Sequence, residues 1–243
     1  MADIGFSVIF PAFNEEENIN TTINNALGYL KTINDAWEII IVNDGSEDKT
    51  GILSEEICRR EPRVRAIHHS KNEGYGRALK DGFASSRYNY IFFTDSDGQF
   101  DLRDLDKMWP LAKEGIAELI IGYRFKRQDN LLRRFLGWLY NRLVYLLFDL
   151  NVKDIDCAFK IFKRSVFEKI NIDSNNFFVN TEILIKARFL NYKILQVGVS
   201  HFPRRAGRST VSLKKILLTL IELQRQYYSS IKLKIKRKCK ESK

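Results

Sequence analysis

Short apolar runs alternate along the chain with longer amphipathic stretches. Residues 4–10 are apolar and end at Pro11, which predicts a first strand. Glu15-Glu16-Glu17 then open a helix to about residue 31, since acidic side chains suit the first turn. Residues 37–42 read as a second strand, and 48–60 as a helix capped by Asp48 or Thr50. Residues 64–68 form a third strand and 74–85 its following helix. The run Tyr90-Ile91-Phe92-Phe93-Thr94 is aromatic and β-branched, as in a buried parallel strand. A helix over 102–112 and a strand over 118–122 complete the first half. Strands and helices alternating at this spacing predict an α/β domain with a largely parallel sheet and right-handed crossovers. The second half is less regular, with helices over 131–150, 180–189 and 213–228 and strands over 158–162 and 194–199. No repeat, low-complexity tract or linker interrupts it. One domain over 1–212 is expected, followed over 213–243 by an amphipathic helix and a polybasic tail.

Composition narrows the class. With 243 residues, 44% hydrophobic and 12% aromatic, the chain has material for a substantial core and does not read as disordered. Cys58, Cys157 and Cys239 show neither metal spacing nor a disulfide framework, which suits a reducing compartment. Cys157 reads as a small buried filler. Met1-Ala2-Asp3 lacks a basic leader region, and no uncharged apolar stretch is long enough to span a bilayer, so a soluble or peripheral protein is expected. The net charge of +10 belongs to one end. Residues 203–243 carry thirteen Lys/Arg against two Glu, while the preceding 202 residues are close to neutral. Such an end suits an anionic surface, either lipid headgroups or nucleic acid.

Three strand ends carry polar, flexible residues: Pro11-Ala12-Phe13-Asn14-Glu15, Asn43-Asp44-Gly45-Ser46 and Asp95-Ser96-Asp97-Gly98-Gln99. In a parallel sheet they share the carboxyl edge, where ligands bind. Asp44 has the chemistry to accept from a base or ribose, and Asn14 and Glu15 could also meet a nucleotide. Asp95 and Asp97 are two apart on extended chain and point to one side. Held that close they repel, so a hard divalent cation is one natural reading and a solvated strand-end turn is the other. Asn72-Glu73-Gly74-Tyr75-Gly76 precedes a helix and would let backbone N–H groups approach phosphate, although a simple helix start accounts for it as well.

PAFNEEENI, VNDGSEDKT, NEGYGRAL and DSDGQF, in this order and spacing, resemble glycosyltransferase family 2, and DIDCAFKIF and HFPRRAGRS extend the likeness to about residue 212. The branch most resembled is the dolichol- or polyprenyl-phosphate sugar synthases. The resemblance implies a GT-A fold (a Rossmann-like, mostly parallel sheet flanked by helices), a nucleotide-sugar donor and a divalent cation, Mg²⁺ or Mn²⁺. It implies that Pro11, Ala12, Asn14, Glu15, Asp44, Asn72, Asp95, Ser96 and Asp97 serve the donor, with Asp95, Asp97 and Gln99 at the metal. Arg124 resembles the acceptor-phosphate arginine, with Arg134 (or Arg133), Arg204 and Arg208 as further cations; arginine suits phosphate because its fork pairs two oxygens. Asp154 resembles the acid opening a D-x-x-x-G-F segment, with Ala158 in place of the glycine. Asp154 and Asp156 are the candidate bases if the acceptor is a hydroxyl.

The expected activity is inverting transfer of a hexose from a GDP-mannose- or UDP-glucose-type donor to a polyprenyl or dolichyl phosphate. Transfer to a hydroxyl of a saccharide or lipid in cell-envelope polysaccharide synthesis is the alternative. Residues 131–150 carry more apolar positions than one core-facing stripe needs, with Arg133, Arg134 and Arg142 interspersed, which suits a helix in the bilayer interface. The rival is a core helix with snorkelling arginines. The protein is thus expected on the cytoplasmic face of a membrane, peripheral in its own right or docked on a separate integral subunit. A nucleic-acid-binding protein is disfavoured, because no nucleic-acid motif accompanies the basic tail.

Overall fold

The computed structural model describes residues 4–125, 131–204 and 218–228. Its elements run β1 (Gly5–Ala12), α1 (Ile19–Leu30), β2 (Ala36–Asn43), α2 (Thr50–Arg60), β3 (Val64–His68), α3 (Tyr75–Ala84), β4 (Tyr90–Thr94), a 3₁₀ turn (Leu102–Lys107), α4 (Trp109–Lys113), β5 (Leu119–Phe125), α5 (Leu131–Phe148), β6 (Phe159–Lys163), a second 3₁₀ turn (Arg164–Glu168), α6 (Val179–Phe189) and β7 (Ile194–Ser200). A further helical stretch covers 218–228. Seven strands form one sheet in the order β3-β2-β1-β4-β6-β5-β7. All run parallel except β6, which is antiparallel to both β4 and β5.

Alternation along the central strands sends side chains to two cores. On one face Phe6, Val8, Phe10, Ile39, Ile41 and Phe92 pack with Ile19, Ile23 and Leu30 of α1 and with Trp109. On the other, Ile9, Ile40, Val42, Ile91 and Phe93 pack with Leu79 and Phe83 of α3, Val144 of α5 and Leu184 of α6. Burying each such side chain is worth about 1.5–3 kcal/mol, so the sheet's rigidity is supplied from both sides.

Three expectations need correction. Strand β1 continues through Pro11 and Ala12, paired with Val42 and Asn43. Proline costs no ladder bond there, because pairing with β4 has ended at Ile9–Phe93; the Pro11 carbonyl on that side accepts from Ser96 Oγ at 2.8 Å. Helix α1 begins at Ile19, after the acidic run and not within it. Asn14 adopts φ 54° and turns the chain, so Glu15-Glu16-Glu17 form a turn laced to its neighbours. The helix expected over 102–112 is split into a 3₁₀ turn and α4, since Pro110 suits a first turn and not a helix interior.

Helix α5 has two unlike faces. Tyr140, Leu143, Val144, Leu147 and Phe148 face the core. Phe135, Leu136, Trp138, Leu139 and Leu146 are exposed, with Trp138 at 60% and Leu146 at 67%. Among the described residues no helix is long and apolar enough to cross a membrane.

Candidate active site

The carboxyl ends of β2, β1 and β4 are neighbours in the sheet, so the three polar turns that follow them meet. The first two are stitched together. Asn14 N–H donates to Ser46 Oγ (3.0 Å), Glu47 N–H to Asn14 Oδ1 (2.9 Å), Glu15 N–H to Thr50 Oγ1 (2.8 Å) and Glu16 N–H to Asp48 Oδ2 (3.0 Å). The third is tied to both sides of β1 and α1, through Ser96 Oγ to Pro11 O and Thr22 Oγ1 to Ser96 O (3.0 Å). Pro11, Ala12 and Ser96 are buried parts of this frame, whereas Asn72 is exposed at its rim.

Asp95, Asp97 and Glu15 converge on it. Asp95 Oδ1 accepts from the Tyr75 hydroxyl at 2.9 Å. Burial, with the Asp97 charge beside it, pushes the Asp95 carboxyl well above the ordinary carboxylate range. Burial likewise raises Glu15, against the pull of Asn18 and Arg204. Arg204 closes the group, with Nη2 2.5 Å from Glu15 Oε1 and Nη1 3.6 Å from Asp97 Oδ2. Gln99 sets this closure. Its side-chain amide donates to Phe202 O (3.1 Å), its carbonyl accepts from Phe202 N–H (2.9 Å), and its own N–H reaches Asp97 Oδ1 (3.1 Å). The 201–204 segment is thereby pinned across the carboxylates. Gly98, at φ 73°, makes the turn that allows it.

Among the described residues no three His, Cys, Asp or Glu side chains form a complete protein cage for a metal. Two adjacent carboxylates, one of them raised by burial and by the other's charge, have the chemistry of a Mg²⁺-type donor set, whose remaining ligands would be water and substrate phosphate. Asp95 and Asp97 could hold such an ion.

Asp44 is occupied otherwise. Its Oδ1 lies 2.7 Å from His69 Nδ1 and accepts from Glu73 N–H (2.9 Å), and its Oδ2 accepts from Gly74 N–H (2.9 Å). Asp44 therefore shapes the 69–74 loop, and the Glu73 and Gly74 N–H groups expected to approach phosphate are spent on its carboxylate. Gly76 N–H is consumed as well, by Asn175 O at 2.9 Å. The glycines serve close packing: a Cβ on Gly74 would lie 2.3 Å from Asn175 O, and one on Gly76 2.5 Å from Ser174 O.

On the β5 side, Arg124 and Asp154 form a bidentate pair, Nε to Oδ2 at 2.7 Å and Nη2 to Oδ1 at 2.8 Å, with Arg124 N–H also donating to Oδ2 at 3.2 Å. Both side chains are about nine-tenths buried. Asn141 of α5 holds the Asp154 loop by donating to Lys153 O (2.8 Å) and accepting from Ile155 N–H (3.3 Å). Gln196 supports it from β7, accepting from Lys153 N–H at 2.7 Å. Asp156 is exposed. A groove of about 480 Å³ adjoins this loop, lined by Arg134, Trp138, Asn141, Arg142, Tyr145 and Lys153. Arg208 lies outside the described residues. Burial pushes the Cys157 thiol up to about 12, so it is unreactive.

The family model described as Glycosyl transferase family 2 matches residues 7–171. The chain belongs to this family. It is 28% identical over 225 residues to glycosyltransferase AglD of Haloferax volcanii, covering 89% of this chain and 36% of that one. It is 30% identical to a dolichyl-phosphate beta-glucosyltransferase of Dictyostelium discoideum, over 82% of this chain and 66% of the relative. The chain thus spans about a third of the first protein's length and just under two thirds of the second's. Among solved structures it is similar to glucosyl-3-phosphoglycerate synthase from Mycobacterium tuberculosis in complex with Mn²⁺, UDP and glucosyl-3-phosphoglycerate. The TM-score is 0.66 at 19% identity, covering 85% of this chain and 74% of that one. That likeness concerns the fold, which is GT-A as the motifs imply.

Within this family 2 domain, the site contains residues that motif reading passes over. Tyr75, Asn141, Lys160, Asn180 and Gln196 all make buried or bridging contacts at the cleft. Tyr75, Lys160 and Asn141 lie in segments singled out from the sequence, but there the glycines, the aspartates and the apolar positions carried the attention.

Proposed function

We propose that this protein transfers a hexose from a nucleotide sugar to a polyprenyl phosphate at a membrane surface, using a divalent cation at Asp95 and Asp97. The observation that carries the acceptor assignment is the Arg124–Asp154 pair. Both Asp154 oxygens accept from a guanidinium, which suits a residue that orients Arg124 better than one that takes a proton from a hydroxyl. A phosphate oxygen is already an anion and needs little base help. The names of relatives, dolichyl-phosphate beta-glucosyltransferases among them, support the same acceptor class and make a glucosyl donor the first to test.

The roles follow from position. The cation, when bound, supplies charge that stabilises the leaving nucleoside diphosphate. Asp95 and Asp97 hold it, and the stitched turns after β1 and β2 carry Asn14, Glu15 and Asp44 on the donor side. Gln99 keeps Arg204 over the carboxylates, where its guanidinium can meet a diphosphate oxygen. Arg124, oriented by Asp154, receives the acceptor phosphate so that its oxygen attacks the anomeric carbon opposite the leaving group. The exposed apolar face of α5, with Arg134 and Arg142 in the adjoining groove, suits a helix lying in a cytoplasmic leaflet.

The test is a screen of radiolabelled nucleotide sugars with polyprenyl phosphate and Mg²⁺ or Mn²⁺, scoring label extracted into organic solvent. One donor should label the lipid, and Asp97→Ala should abolish labelling while leaving Tm unchanged. Full activity in Asp97→Ala, or transfer to a saccharide hydroxyl with none to polyprenyl phosphate, would overturn the assignment.

A further inference from the structure

Lys160 sits in mid-strand on β6, opposite Phe93 of β4, and is only 1% exposed. Taking an ammonium out of water costs several kcal/mol unless its protons are matched. Its ammonium donates to the Cys157 carbonyl and to Asn180 Oδ1 at 3.0 Å, and lies 5.3 Å from the centre of the Phe93 ring. The carboxylates of Asp156, Asp154 and, more weakly, Asp95 lie within its electrostatic reach.

The contacts continue in one direction. An ammonium can only donate, so Asn180 must present its oxygen to Lys160 and its amide N–H₂ elsewhere. Asn180, 5% exposed near the start of α6, lies beside the Tyr75 hydroxyl and acts on it electrostatically. Tyr75 in turn donates to Asp95 Oδ1 at 2.9 Å. Its ring is held by stacking on Phe177 at 5.1 Å, and by the close approach of Gly76 to the 174–176 backbone. The series runs cation, amide, phenol, carboxylate, with hydrogen bonds at its two ends, Lys160 to Asn180 and Tyr75 to Asp95.

We propose that Lys160, Asn180 and Tyr75 form a buried relay that positions the Asp95 carboxylate for its divalent cation. The inference rests on the cation reading above. These are positioning residues: they act on the cation through Asp95 and touch no reacting atom. The relay fixes the plane of the carboxylate by tying Oδ1 through a phenol that Phe177 holds in place.

The decisive measurement is Mn²⁺ binding to the full chain, read by electron paramagnetic resonance or calorimetry, with Mn²⁺ alone and with UDP or GDP added. Tyr75→Phe removes one hydroxyl and keeps the Phe177 stack. Its Mn²⁺ affinity should fall about tenfold, as for loss of a hydrogen bond to a charged group, with Tm unchanged. In an Asp95→Asn background the same substitution should cost nothing further. Lys160→Met should also weaken Mn²⁺ binding, and the double variant with Tyr75→Phe should be no worse than the stronger single; if Lys160→Met does not fold, the Tyr75→Phe cycle decides alone. Wild-type affinity in Tyr75→Phe, or an equal loss with and without Asp95, overturns the relay. Absence of Mn²⁺ binding by the wild type under all three conditions overturns the cation reading on which it stands.

Discussion

Arg124 and Asp154 meet through two parallel N–H···O bonds, a geometry that lysine cannot reproduce. Asp154→Asn retains the loop and loses half of that fork. If Asp154 orients Arg124, KM for polyprenyl phosphate should rise about tenfold, the worth of a charge-assisted bond, with kcat within a few-fold of wild type. If Asp154 were the base, kcat would collapse at saturating acceptor. Arg124→Lys keeps the charge and should still cost roughly ten- to a hundredfold in kcat/KM, because the fork is gone. A different carboxylate reports on stability. Hydrogen bonds from Arg63 (3.0 Å) and Lys31 (2.9 Å) hold Glu61 at about 2, well below its ordinary 4.5. The folded state thus binds this proton more weakly than the unfolded chain. Its contribution is full above pH 4.5 and is lost as the pH falls through about 2. Glu61→Gln should lower stability by up to about 1 kcal/mol near neutrality, and the difference from wild type should shrink in urea melts at pH 3.

Helix α5 joins two jobs in one element. Its inner face carries Asn141, which sets the Asp154 loop, and its outer face exposes Phe135 and Trp138, their rings 6.0 Å apart, together with Leu146. Leu146→Glu touches only the outer face, while Trp138→Glu changes that face and the rim of the groove beside the Asp154 loop. Both should reduce flotation with phospholipid vesicles severalfold while Tm stays within a degree or two; unchanged flotation would remove α5 from the proposed membrane contact. The outer face was visible in the sequence because it is an excess of apolar positions, and so were the central strands, whose runs are continuous. The start of α1 was not. Glu15-Glu16-Glu17 has a first-turn composition, but Asn14 at φ 54° and the bond from Glu15 N–H to Thr50 spend those residues on a tertiary turn. Lys160 was equally hidden. In FKIFK a charge between apolar neighbours reads as the wet face of a strand, and only the placement of β6 between β4 and β5 makes that face dry. The direction of β6 was illegible for the same reason, since it depends on the path of the chain and not on its residues. The strand-end acids were legible because polar residues at the carboxyl edge of parallel strands have few structural duties; Asp44 shows one such duty, shaping a loop.

Across the whole molecule, charge is distributed as unevenly as function. The first 202 residues are nearly neutral, and the excess begins at residue 204, whose guanidinium already bridges Glu15 and Asp97. The basic segment therefore starts inside the cleft and runs away from it along the sequence. The proposed membrane association would draw on two attractions of different physical kinds. The outer face of α5 offers apolar area, which salt strengthens slightly if at all, whereas the seven Lys/Arg between 232 and 243 offer charge, each worth about 1 kcal/mol near an anionic leaflet. The two can be separated by ionic strength, because screening shortens from about 30 Å at 0.01 M to about 3 Å at 1 M salt. Wild type should bind vesicles containing anionic phospholipid far better than phosphatidylcholine alone, with the advantage shrinking as salt rises. Replacing the seven basic residues by glutamine should abolish that advantage and leave the weaker, salt-insensitive binding; Trp138→Glu should do the reverse, leaving binding that requires both anionic lipid and low salt. Equal binding of wild type to neutral and anionic vesicles at low salt would show that the charge at this end serves something other than a lipid surface.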